Sequence, residues 1–167
     1  LRAHPRRTRV RSSAGSDGYK RQQHGGGGKA EQLLLRGFDV DHGTDVAISV
    51  DGMPVNMVSH AHGQGYADLH FVIPETIENV DFGKGPYYME QGDFNTAGYV
   101  DLKLRKSLDK SMLSTEVGQF NTRRFMGMFN VLDQGNSTAY LASELYLTDG
   151  AFDSPQNFNR LNMMGRY

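Results

Sequence analysis

The chain has no cysteine. A disulfide scaffold, a thiolate zinc site and a catalytic thiol are all excluded by that single absence. No run approaches the roughly 18 apolar residues that a transmembrane helix needs. That absence leaves a membrane barrel open, because barrel strands alternate and never build a long apolar run. The chain opens Leu1-Arg2-Ala3-His4-Pro5-Arg6-Arg7, without an initiating Met or the apolar core of a signal peptide. Proline is sparse at 5 residues, and hydrophobic residues make up 38%, enough for a modest core.

Glycine, by contrast, is plentiful at 20 residues, which favours turns and β structure over long helices. The net charge of −1 hides an asymmetry. Residues 1–24 carry Arg2, Arg6, Arg7, Arg9, Arg11, Lys20 and Arg21 against Asp17 alone, so the remainder is acidic. This basic stretch lacks interleaved aromatics beyond Tyr19, and no nucleic-acid partner is expected. Residues 1–28 read as a disordered, basic low-complexity segment ending in Gly25-Gly26-Gly27-Gly28.

From Lys29 onward the pattern is that of an ordered domain. Gln32 to Phe38 reads as a strand, Asp39 to Thr44 as a polar turn, and Asp45 to Val50 as a strand with Val46, Ile48 and Val50 on one face. Asp51-Gly52 is a tight turn, and Met53-Pro54 restarts extended backbone. Residues 56–67 form a polar loop, and Tyr66 to Val72 is a short segment with helical character. Pro74 to Glu78 starts one helical turn, and Ile77, Val80 and Phe82 form a strand stopped by Gly83-Lys84-Gly85-Pro86.

After Asp101 the character changes. Residues 112–120, 123–132, 138–148 and 159–167 read as β segments, mostly close to the ~9–11 residues that cross a bilayer at a tilt. In the third, Leu141, Leu145 and Leu147 fall on one face and Ala142, Glu144 and Tyr146 on the other. A short turn at 133–137 and a longer loop at 149–158 fall at opposite ends. Taken alone, this alternation also suits a soluble antiparallel meander.

The order and spacing of Leu35-Arg36-Gly37-Phe38, Ile48 to Pro54, Ile77-Glu78 with Lys84-Gly85-Pro86, and Gly98-Tyr99-Val100-Asp101-Leu102 resemble the plug domain of a TonB-dependent outer-membrane receptor. The specific part of the resemblance spans 29–101. Tyr99 departs from the Gly-Gly usual in the family. The resemblance implies a mainly β fold with minor α (α+β): a partial plug over 29–104, then the first strands of an incomplete antiparallel transmembrane β-barrel over 105–167. It implies transport rather than catalysis, and no cofactor. In the full-length receptor the TonB energy-coupling protein and outer-membrane lipid would be partners. The place would be the outer membrane of a Gram-negative bacterium. Arg36 and Glu78 would seat the plug against the barrel wall. Four segments cannot close a plugged barrel of roughly 22 strands, and the amino-terminal plug motifs are not legible before Lys29. The chain is therefore expected to be a piece of a receptor that takes up a siderophore, metal chelate, vitamin or saccharide.

The loop carrying His60, His62, Gln64 and Tyr66 is the candidate ligand-facing surface. His60 and His62, with His42, Asp68 and His70 nearby in sequence, are weak metal candidates, since His-x-His puts two rings on one side of a strand. A soluble β-rich binding module with a metal in this loop is the alternative reading. Gly25 to Ala30 lacks the Ser or Thr of a phosphate loop, and Asp39 to Val50 lacks the closing Glu of a calcium loop.

Overall fold

The structure, a computed structural model, describes residues 19–23, 27–28, 31–35, 38–40, 44–135 and 137–167. The chain divides into two compact units. The first contains 29–70 and 77–104; the second contains 71–76 and 105–167. The short segment 71–76 thus belongs with the carboxy-terminal strands although it lies within the plug-like sequence.

In the first unit, β1 (Tyr19–Gln23), β2 (Glu31–Leu35) and β3 (Phe38–Val40) make an antiparallel sheet in that order. Tyr19 pairs with Leu35, and Leu33 with Val40. This corrects two expectations. Residues 19–23 are a strand rather than part of a disordered arm, because Glu31–Leu35 offers them a complete antiparallel partner. The proposed turn at 39–44 begins later, since residues 38–40 still pair. The other residues of 1–18 and 24–26 lie outside the described residues.

The second sheet of this unit runs β5-β4-β7-β6, from β4 (Val46–Val50), β5 (Met53–Pro54), β6 (Ile77–Lys84) and β7 (Gly98–Leu104). β4 and β5 form the expected hairpin around Asp51-Gly52, both with positive φ. Val46, Ile48 and Val50 are buried and the residues between them are only half-buried, as the period-two pattern requires. β7 is central, parallel to β4 and antiparallel to β6, so it is buried on both faces from Gly98 to Leu102. Tyr66 to Leu69 is not helical, and Gly65, Ala67 and Leu69 are buried alternately. Alternation of period two at that position outweighs its weak helical character.

The second unit is an antiparallel meander, β8 (Met112–Val117), β9 (Arg123–Gln134), β10 (Ser137–Thr148) and β11 (Phe158–Arg166), ordered β11-β10-β9-β8. A tight turn at Gly135, with φ +59°, joins β9 to β10, and the longer 149–157 loop joins β10 to β11 at the opposite end. The core is on one face only: Met126, Met128, Tyr140 and Ala142, with Leu108 and Ile73 packed among them. On the other face Leu113, Phe125, Phe129, Leu141, Leu145, Leu161 and Met163 are exposed, Leu113 and Met163 at 77% each. Among the described residues the only helical pieces are two 3-10 turns, Pro74–Thr76 and Met89–Gln91. The chain is mainly β.

Candidate functional site

The buried face of the meander carries charge as well as core. Across the four strands Glu116 is opposite Arg124, Arg124 opposite Tyr146, and Tyr146 opposite Arg160. One step along, Met126, Glu144 and Asn162 form the next row. The alternation that sends the leucines of β10 outward brings Glu144 inward, where it is fully buried at 0% exposure. An isolated buried carboxylate would be very costly. Glu144 is not isolated. Arg124 Nε donates to its Oε2 at 2.7 Å, Arg160 donates to its Oε1 through Nη2 at 2.7 Å and Nε at 3.1 Å, and Asn162 Nδ2 approaches at 3.3 Å. Arg160 also lies over the Tyr146 ring, 5.2 Å from its centroid.

Arg124 extends the network to the 71–76 segment. Its Nη1 and Nη2 grip Glu75 in a two-pronged fork, at 2.9 Å to Oε1 and 2.7 Å to Oε2. Nη1 also reaches Glu116 Oε1 at 2.9 Å. Glu75 sits in the 3-10 turn that Pro74 starts, a turn closed by Thr76, whose N–H and Oγ1 both donate to Ile73 O. The segment is held from its other side by Arg105, whose Nε donates to Glu75 O and whose N–H donates to Thr76 O. Tyr140 Oη in turn donates to Arg105 O.

The polar loop of the first unit is built differently. Asn56 is buried and crosslinks it: its Oδ1 accepts Ile48 N–H at 2.6 Å, and its Nδ2 donates to Val46 O and Gly65 O. Met57 and Tyr66 bond through their backbones, as do Gly65 and Met57, with Gly65 at a φ of +77°. This closed base presents His60 stacked on Tyr66, with centroids 4.2 Å apart, and His62 edge-on to the same ring at 5.6 Å. His62 N–H donates to His60 Nδ1, which puts the proton of a neutral His60 ring on Nε2. His60 therefore offers a donor rather than a metal-binding lone pair at its outer nitrogen. His70 is engaged with Asp68 instead, at 2.6 Å. Among the described residues no three of His, Asp or Glu converge to hold a metal; His42 lies outside them.

Residues 10–99, just over half the chain, match the family model of the TonB-dependent Receptor Plug Domain. The chain belongs to this family. Its members are transport receptors of the outer membrane, not enzymes. A search of curated proteins gives no match to the chain. The family match starts at residue 10, well upstream of Lys29, so the plug pattern extends into the segment that composition alone set apart. Tyr99, the departure from the family's Gly-Gly, has a local accommodation: its ring fills the space over Gly83, where an added Cβ would come within 2.3 Å of it. The Tyr99 ring also meets Tyr88 edge-on, and its hydroxyl donates to Asp81 Oδ2.

Of the expected seating residues, Arg36 lies outside the described residues. Glu78 is exposed on β6, at a β-bulge where the register with β7 shifts between Ile77 and Asn79. His60, His62, Gln64 and Tyr66 do share one loop, with His60, His62 and Gln64 exposed. Sequence reasoning missed Glu75, Arg124 and Arg160. The available signal was Glu144: an acid on the face opposite the leucines needs basic partners on the flanking strands.

Proposed function

We propose that this chain is the carboxy-terminal part of the plug and the first barrel strands of a TonB-dependent receptor that takes up a scarce nutrient across the outer membrane. The observation that carries the reading is that the exposed face of the β8–β11 sheet is apolar while its covered face mixes core with charge. Water-facing sheets are built the other way round; strands of an outer-membrane barrel present apolar residues to lipid and polar residues to the interior. The remaining strands of the barrel would come from elsewhere in the receptor.

In this reading the loop from His60 to Tyr66 faces the transported molecule, which would be a siderophore, metal chelate, vitamin or saccharide. Arg36 and Glu78 help seat the plug. The mechanism is opening of the plug driven by TonB, with no covalent step. A soluble module holding a metal at His60 and His62 draws no support from the loop, where His60 Nδ1 is already occupied. The test is expression of the receptor carrying this chain in a Gram-negative host. Fractionation with the outer membrane, and uptake abolished by loss of TonB, are expected. Recovery of the receptor in the soluble fraction would overturn the reading.

A further inference from the structure

We propose that Glu75, through Arg124, is a clasp that keeps residues 71–76 attached to the barrel strands while the rest of the plug rearranges. The proposal rests on the receptor reading above and adds to it which piece of the plug does not move. Residues 71–76 lie inside the matched plug sequence, yet they form one compact unit with 105–167, separate from the unit containing 44–70 and 77–104. Two independent features tie them there. Ile73 is fully buried among Met126, Met128, Tyr140 and Ala142. Glu75 receives both terminal nitrogens of Arg124, and Arg124 is itself fixed by Glu144, which Arg160 and Asn162 hold from β11. The clasp is thus anchored across β9, β10 and β11.

The chemistry makes the Arg specific. One planar guanidinium serves Glu75, Glu116 and Glu144 at once, through three nitrogens. A lysine offers one point charge and cannot fork across three carboxylates. Protonation of Glu75, or its replacement by Gln, would leave Ile73 in place but remove the charge that Arg124 grips.

Native-state hydrogen exchange of the full chain in detergent micelles, over a rising denaturant series, tests this. In the wild type the Thr76 and Arg105 amides should open together with β9 and β10, at higher denaturant than β4 and β6. In Glu75→Gln and in Arg124→Lys, exchange in 71–76 should accelerate by roughly tenfold or more while β10 stays protected. Opening of 71–76 together with β4 and β6 in the wild type overturns the clasp, and needs no variant to fold. So does unchanged protection of 71–76 in Glu75→Gln. Loss of protection throughout β8–β11 in detergent would instead be a failure of the receptor reading.

Discussion

At the scale of residues, the energetics hinge on how charges are buried. Glu144 and Glu116 both bond Arg124, yet they differ in exposure: Glu144 is fully buried and the Glu116 side chain is half exposed. Replacing Glu144 with Leu takes from Arg124 and Arg160 the buried carboxylate they share, a cost of about 3–5 kcal/mol, although Arg124 keeps Glu75 and Glu116. Replacing Glu116 with Gln removes a screened pair, a cost under about 1 kcal/mol. Urea unfolding of both variants in detergent should show that ranking, and equal costs would refute it. In the first unit Asp101 is the titrating residue to watch. Burial raises its pKa, but hydrogen bonds from Lys103, Ser49 and Gly52 outweigh that, and the result lies below the ordinary 3.8. A folded value below the unfolded one adds stability that is present above pH ~4 and is lost as pH falls through the folded value. The same hydrogen bond to Asp101 is the main cause that raises the pKa of Lys103, and the negative charges of Asp101, Asp51 and Asp81 add to it. Acid unfolding followed from pH 5 to pH 2 should be less steep in Asp101→Asn than in the wild type.

At the scale of elements, the legibility of the fold depended on period. β4 was readable because Val46, Ile48 and Val50 alternate with half-buried neighbours, and β10 because leucines alternate with Ala142, Glu144 and Tyr146. β7 is buried on both faces, so its Gly98-Tyr99-Val100 run carries no alternation and only the family pattern located it. β1 was unreadable: its pairing with Glu31–Leu35 is a tertiary fact that a basic, polar sequence does not announce. The loop at 56–67 was legible as polar, but the buried Asn56 that closes it was not singled out. Gly83 on β6 gives a test at this scale. Its replacement by Ala would push a Cβ against the rings of Tyr99 and Tyr88. The first unit should lose about 1–3 kcal/mol, read as an earlier thermal transition. A smaller ring at Tyr99, as in Tyr99→Leu, should recover part of that loss; no change in Gly83→Ala would contradict the packing.

At the scale of the molecule, the chain joins a plug-family segment to a sheet whose apolar side faces outward. That side and the open edges of β8 and β11 are what an isolated four-stranded sheet cannot satisfy in water. Expressed without detergent, the full chain should be oligomeric or insoluble by size-exclusion and light scattering, and truncation after Leu104 should improve its behaviour. The candidate site was only partly legible at this scale. The ligand-facing loop follows from local sequence, whereas the Glu75–Arg124 pair joins residues 49 positions apart and exists only once the sheet is assembled. The most direct measurement of the central claim uses the absence of cysteine from this chain, so that single spin labels can be placed along β10 from Leu141 to Leu147 in the receptor carrying it, reconstituted in lipid bilayers. Collision with oxygen, which concentrates in hydrocarbon, should be high at 141, 145 and 147 and low at 142, 144 and 146. Uniform access of a water-soluble nickel chelate along the strand, or no alternation between the two sets, would contradict the account.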